Sequence, residues 1–423
     1  MAQDLQNKNE VNNNKMKEST LKFQKKYLML ASLGFVGSML PALAWTQNYP
    51  LPTPAMQAII DKDTSRHFGD APADGGPLAT DLSAELEPAA IEKVLRKVAD
   101  WQLARSQAHF GRIWTSSVMY TGFMAASEAS NDSKYKDAML AMSQQHQWQL
   151  AKRLPNADDQ SVAQTYLDLY FLNKQPEFIA STKGDLDTLI DLKTLKPGDD
   201  RLPWWWCDAL FMAPPVWAKM YVATGERKYL DYVHTQWKNT YDLLYDKQEH
   251  LYARDVSYIN KTEPNGKKTF WSRGEGWVMG GIARTLDYIP KDDPQRPFYI
   301  QQLREMSARL AQLQDENGLW HAGLLDPATY PLPEISGSAL FVYGMAYGIN
   351  HGILDPKEYQ PVIARAWKGI LKHVYADGRL GGIQQTGAEP AFYRPASSFD
   401  YGVGGFMLAA AELKKMVTVK PAK

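Results

Sequence analysis

Phe211-Met212-Ala213-Pro214-Pro215-Val216-Trp217-Ala218-Lys219-Met220-Tyr221-Val222-Ala223-Thr224, followed at once by Gly225-Glu226-Arg227-Lys228-Tyr229, contains the unit from which the chain is built. The first segment is small and apolar on every side, the pattern of a helix buried all round. The second is a polar turn and a tyrosine that opens a more amphipathic helix. Apolar segments of the first kind recur at 118–129, 161–172, 276–289, 336–352 and 402–415, making six with 211–224. Turns ending in tyrosine recur at 131–135, 293–299 and 355–359, and 173–178 places Phe178 where the others have Tyr. Such recurrence marks an internal repeat of helical hairpins. An open stack of hairpins would leave one face of each inner helix polar, which these lack, so closure is favoured. The expectation is an all-α fold, an (α/α)6 barrel of six helical hairpins over residues 90–423.

Two segments precede that domain. Residues 1–44 combine a polar extension, the basic Lys22, Lys25 and Lys26, an apolar run from 27 to 40 and the small-residue exit Pro41-Ala42-Leu43-Ala44. This is the layout of a secretory signal peptide, too short in its apolar part for a lasting membrane span. Cleavage after Ala44 and a periplasmic or extracellular location follow as expectations, with Met16 as an alternative start. Residues 45–89, rich in Pro, Asp, Ala and Gly, read as a linker or extended arm.

Charge and cysteine content narrow the function. The 423 residues carry 47 Lys and Arg against 47 Asp and Glu, which argues against a nucleic-acid partner. One cysteine, Cys207, excludes an intrachain disulfide and a multi-cysteine metal site, and the eight histidines show no metal spacing. The 13 Trp and 22 Tyr suit a carbohydrate surface, although helix interfaces also consume aromatics. Oligomeric state is not readable from the sequence.

In a closed barrel the loops leading into the inner helices crowd at one mouth, the default place for a ligand. They hold Asp158-Asp159, the run Trp204-Trp205-Trp206-Cys207-Asp208, and Phe270-Trp271-Ser272-Arg273-Gly274-Glu275-Gly276-Trp277. Asp208 reads either as a helix N-cap or as a carboxyl whose pKa is raised by the indoles beside it. Asp158 and Asp159 carry the same choice between cap and acid–base group. Arg273 between two tryptophans is suited to forking a carboxylate, the alternative being an ion pair with Glu275.

Trp206-Cys207-Asp208-Ala209-Leu210-Phe211-Met212-Ala213-Pro214 and Trp271-Ser272-Arg273-Gly274-Glu275-Gly276-Trp277 resemble motifs of the unsaturated glycuronyl hydrolases. So do Ala157-Asp158-Asp159-Gln160-Ser161-Val162-Ala163-Gln164-Thr165-Tyr166 and Ser336-Gly337-Ser338-Ala339-Leu340-Phe341. The likeness is to glycoside hydrolase family 105, the unsaturated rhamnogalacturonyl hydrolases, related to family 88, and it spans about residues 90–415. The resemblance implies the (α/α)6 barrel. It also implies Asp208 as proton donor, Asp159 as its assistant with Asp158 as the alternative, and Trp271, Arg273, Trp277 and Met212 as substrate-binding residues. Trp206 and Arg254 are candidates beside them. The implied reaction hydrates the C4=C5 double bond of a terminal unsaturated uronic acid, with an unsaturated uronate oligosaccharide as partner and neither metal nor organic cofactor. Many members carry Asn at the Glu275 position, and a His where this chain reads Tyr252-Ala253-Arg254-Asp255, which bears on the sugar more than on the reaction. Two other readings stand beside it: an inverting glycosidase using Asp159 and Asp208, and a noncatalytic sugar-binding barrel.

Overall fold

Each polar turn of the repeat ends one helix and starts the next. The computed structural model describes residues 68–192 and 202–418. The expected signal peptide, and the expected arm as far as residue 67, lie outside the described residues. Outer helix α1 (Pro88–Ser106) leads to inner α2 (Trp114–Ser130), and outer α3 (Ser133–Gln145) to short α4 (Ala157–Gln160) and inner α5 (Ala163–Asn173). Outer α6 (Glu177–Asp191) precedes short α7 (Ala209–Met212) and inner α8 (Pro214–Thr224). Outer α9 (Arg227–Leu244), inner α10 (Ser272–Leu286), outer α11 (Arg296–Leu313), inner α12 (Ile335–Asn350), outer α13 (Pro356–Leu371) and inner α14 (Asp400–Thr418) follow. Inner helices pack in sequence order, α2 on α5, α5 on α8, α8 on α10, α10 on α12 and α12 on α14, and α14 returns to α2. The fold is all-α, with paired hairpins closed into a toroid as the apolar inner segments predicted. α14 also packs on α1, where Gln102 Nε2 donates to Asp400 Oδ1 at 2.8 Å.

The repeating tyrosine has a structural task. Tyr135, Tyr229 and Tyr299 are fully buried, and each reaches the preceding outer helix through its hydroxyl. Tyr135 donates to Asp100 on α1 at 2.5 Å and Tyr229 to Asp187 on α6 at 2.6 Å, while Tyr299 pairs with His234 on α9 at 2.9 Å. The turns before them end helices in the left-handed region at Asn131, φ 48°, and Gly225, φ 76°.

Short strands pin the surface segments. β1 (Gly69–Asp70) pairs antiparallel with β4 (Ser398–Phe399), and β2 (Tyr245–Asp246) with β3 (Leu251–Tyr252). The segment between β1 and α1 is further tied down where Ala79 N donates to Val374 O. Among the described residues no helix is long and apolar enough to cross a membrane.

Helix starts differ from the sequence expectation. α2 and α10 begin at Trp114 and Ser272, where the apolar pattern predicted residues 118 and 276. Polar and aromatic residues that read as loop form the first helical turn, and they are buried against neighbouring helix starts. Close approach requires glycine at one such contact: a Cβ on Gly281 of α10 would lie 2.2 Å from the carbonyl oxygen of Leu210, two residues after Asp208. Gly281→Ala is therefore expected to destabilise by about 1–3 kcal/mol, the usual range for overpacking. A thermal melt should fall by several degrees, and an unchanged Tm would contradict this contact.

Candidate active site

Asp208 stands at the start of α7, yet its carboxylate caps nothing, since no backbone amide of that helix donates to it. Of the two readings open in the sequence, the cap is therefore removed. The side chain is 11 % exposed. Arg254 is placed beside it by the backbone: Cys207 N donates to Arg254 O at 2.8 Å, bringing Arg254 Nε to 3.4 Å from Asp208 Oδ2. Arg254 Nη1 also donates to Asp255 at 2.7 Å, and the guanidinium lies 5.6 Å from the Trp205 ring centroid. Burial alone would lower the Arg254 pKa, but the charges of Asp208 and Asp255 hold it above its usual value. The strand that delivers Arg254 is itself pinned, because Tyr252 N donates to both carboxyl oxygens of fully buried Glu275, at 2.9 and 3.1 Å. Burial pushes the Glu275 carboxyl well above the carboxylate range.

The apolar collar of tryptophans expected around Asp208 is not what the structure contains. Trp204 turns into the core against Tyr232, with ring centroids 5.9 Å apart, and its carbonyl accepts from Thr240. Trp205 shelves Arg254 and packs on Trp206, so a guanidinium rather than three indoles flanks the acid.

Asp158 and Asp159 part company on α4. Adjacent helical residues point about 100° apart. Asp159 turns inward to Arg153, accepting from its backbone N at 2.6 Å and from Nη2 at 2.6 Å. Its carboxylate is thus engaged in an ion pair that closes the 153–159 turn. Asp158 accepts no side-chain hydrogen bond from a described residue. Burial, and next the charge of Asp208, push its carboxyl up to about 7. Of the neighbouring charges that act on Asp158, that of Asp208 is the strongest.

Arg273 stands in the first turn of α10. It is fully buried, donating from Nη1 to Gln384 O and from Nη2 to Gln385 O, each at 2.8 Å. Trp271 and Tyr401 flank the guanidinium at 4.3 and 5.0 Å, and its nearest carboxylate is Glu334 at 3.8 Å, not Glu275. Trp271 Nε1 donates to Gln384 Oε1 and the Tyr401 hydroxyl to Gln384 O. Together they fasten the 384–385 segment to the mouth, while Arg273 Nε has no hydrogen-bond partner among the described residues. Trp277 is likewise buried, 5.1 Å from Phe211 and 6.1 Å from half-buried Trp114, and Met212 is buried beneath Asp208. Arg273→Met is accordingly expected to cost about 3 kcal/mol, the order for unpairing a buried charge, with KM nearly unchanged. A folded variant of normal Tm and raised KM would restore the clamp reading.

Asp208, Arg254, Trp205 and Trp206 lie together, the charge of Asp208 reaches Asp158, and Asp159, Arg273, Trp271, Trp277 and Met212 are buried. Arg153, Gln384 and Gln385 were not singled out from the sequence. Only the glycines of Gly381-Gly382 hinted at a tight segment there. A cavity of about 610 Å³ opens at the opposite end of the barrel, lined by Asp168, Lys219, Arg284 and Asp287 among others. Asp168 pairs there with Lys219 at 2.5 Å, and Glu128, Asp132, Asp287 and Glu412 line the same space.

Comparison with known proteins shows the family. The family model Glycosyl Hydrolase Family 88 matches residues 87–417. An unsaturated 3S-rhamnoglycuronyl hydrolase of Formosa agariphila is 37 % identical over 81 % of this chain and 96 % of its own length. A second protein of that description, from an Alteromonas species, is 30 % identical over 79 % of this chain and 89 % of its own. Among solved structures, the polysaccharide lyase BACCELL_00875 superposes with a TM-score of 0.74 at 30 % identity, over 79 % of this chain and 99 % of that one.

Proposed function

The chain belongs to Glycosyl Hydrolase Family 88 and is an enzyme of the unsaturated glycuronyl and rhamnogalacturonyl hydrolase group, and we propose that it removes a terminal 4,5-unsaturated uronic acid linked to rhamnose by hydrating the double bond. The observation that carries this reading is the pair Asp158 and Asp208 with Arg254 alongside. The Asp158 carboxyl, pushed up to about 7 by burial and by the neighbouring charge of Asp208, keeps a proton at the site near neutral pH, which is what protonating an enol ether at carbon demands. Asp208 gives that proton to C4, and the π electrons leave positive charge on C5 shared with the ring oxygen. Water adds at C5 and returns a proton to the Asp208 carboxylate. The hemiketal then opens, the bond from C5 to the ring oxygen breaking as C5=O forms and the hydroxyl proton passing to that oxygen, and the hemiacetal left at C1 collapses to an aldehyde as the neighbouring sugar leaves as its alcohol. Asp158 keeps that proton available to Asp208. Trp205 and Trp206 supply flat apolar surface beside the sugar.

The clamp for the C6 carboxylate passes from Arg273 to Arg254, whose side chain is 20 % exposed and whose Nη2 makes no hydrogen bond to a described residue. Arg254→Met is expected to raise KM about tenfold, the loss of one charge-assisted hydrogen bond, with a nearly unchanged melt. An unchanged KM would remove Arg254 from substrate binding.

A rhamnose neighbour is favoured because both reported curated relatives are rhamnoglycuronyl hydrolases. Export, with the signal sequence at 1–44, is part of the same proposal. Lyase-generated oligosaccharides differing only in the sugar after the unsaturated uronate test the substrate class: kcat/KM should be highest for the rhamnose-linked member. Equal or better turnover with a different neighbour would refute that assignment.

A further inference from the structure

Pro214 and Pro215 follow the helix turn that carries Asp208, and neither has an N–H. The carbonyl of Phe211, which would accept from residue 215 in a continuous helix, is left without its helical donor. That of Met212 is left so as well, because Val216 N turns instead to Ala213 O at 2.8 Å. Buried carbonyls without donors are costly. Both are satisfied from another segment: Gln164 Nε2, on α5 and 1 % exposed, donates to Phe211 O at 2.8 Å and to Met212 O at 3.2 Å.

The amide cannot turn over. Its Oε1 accepts from Arg284 Nε at 2.6 Å, so a flip would set oxygen against two carbonyls and an NH2 group against a guanidinium. Arg284 is drawn toward Asp168, 3.8 Å away, and Asp168 is held by Lys219, which also donates to the backbone carbonyl of Gln164 at 3.1 Å. A second bond between the same two segments, Trp217 Nε1 to Gln160 Oε1 at 2.9 Å, lies on the Asp158 side.

We propose that Gln164, locked by Arg284, is a positioning residue that sets the separation between Asp158 and Asp208, joining the segment that bears one carboxyl to the proline-broken helix that bears the other. The inference rests on the acid-pair reading of the site and adds what fixes the pair. Gln164 touches no reacting atom. It acts through the Phe211 and Met212 carbonyls, three and four residues beyond Asp208. The neighbouring charge of Asp208 already enters the upward shift of Asp158, so altered spacing should register in the titration of the pair.

The test is Gln164→Met in the full-length chain, a substitution of similar length with no hydrogen-bonding end. Two readouts are taken: kcat and KM on an unsaturated uronate oligosaccharide, and carboxyl titration by NMR of 13C-labelled aspartate. Displacing a catalytic group by a fraction of an ångström should lower kcat about thirtyfold, with KM within about twofold, and move the pair's titration by about half a pH unit or more. A folded variant with parental kcat and titration overturns the proposal. If the parent shows no turnover while the titration still moves, the functional reading fails and the positioning stands. If the parent turns over and the variant matches it, the positioning fails alone. Should Gln164→Met not fold, Arg284→Lys keeps the charge near Asp168 but frees the amide to rotate. It should lower kcat about fivefold at unchanged KM, and parental kcat there overturns the proposal equally.

Discussion

Asp208→Asn is expected to lower kcat by about a thousandfold while leaving the fold intact. Asparagine keeps the size of the side chain and can still meet Arg254 and Cys207, which lie 3.4 and 3.5 Å from Oδ2. It has no proton to give to carbon. Positioned general acids contribute about 10² to 10⁴ in rate, and in the proposed mechanism the same group takes the proton back from water, so both halves of the addition are lost. Since the Asp208 carboxylate caps no helix, the substitution removes no helix cap and the melting curve should superpose on that of the parent. Substantial residual activity in a folded variant would remove Asp208 as the donor.

Asp158→Asn and Asp159→Asn should differ in kind, although the residues are neighbours. The charges that act on Asp158 are those of Asp208, Arg153, Asp159 and Arg254, and burial with the Asp208 charge outweighs the two arginines. A carboxyl with its pKa raised to about 7 is protonated below that value and ionised above it. The rate that depends on its proton is therefore full below about pH 7 and falls as pH rises through it. In Asp158→Asn kcat should drop about a hundredfold and the alkaline limb should vanish. In Asp159→Asn the limb should stay, because that carboxylate serves Arg153, and the change should appear as about 1–3 kcal/mol of lost stability. A pH–rate profile and a melt for each variant decide the matter. An alkaline limb that survives in Asp158→Asn and vanishes in Asp159→Asn would reverse the assignment.

These two residues also show where sequence stops informing. Asp158 and Asp159 are chemically identical and adjacent, and what separates them is the orientation of a single helical turn and a partner, Arg153, that no motif marks. The barrel was more legible because its signal is repeated: an apolar stretch, a polar turn, and a tyrosine that reaches the previous outer helix. Asp208 could be found because its surroundings are compositionally unusual, although the reason first attached to the tryptophans does not hold. Trp204 is core, and Trp205 carries Arg254. Arg273 shows a second limit. An arginine between two tryptophans suits a carboxylate, but its partners are carbonyls more than a hundred residues away, and only the folded chain shows them. The departure Arg254, noted in the sequence as bearing on the sugar, proves to stand next to the acid.

The central claim is that the enzyme consumes the C4=C5 bond rather than displacing the sugar at C1. That bond, conjugated with the C6 carboxylate, absorbs in the ultraviolet, so absorbance can be followed alongside release of the neighbouring sugar during turnover of an unsaturated, rhamnose-linked oligosaccharide. Hydration requires absorbance to fall from the first turnover, as fast as or faster than sugar is released, with no turnover of the saturated analogue. Sugar release that precedes any fall in absorbance, or absorbance that rises as a lyase would make it, would contradict the account.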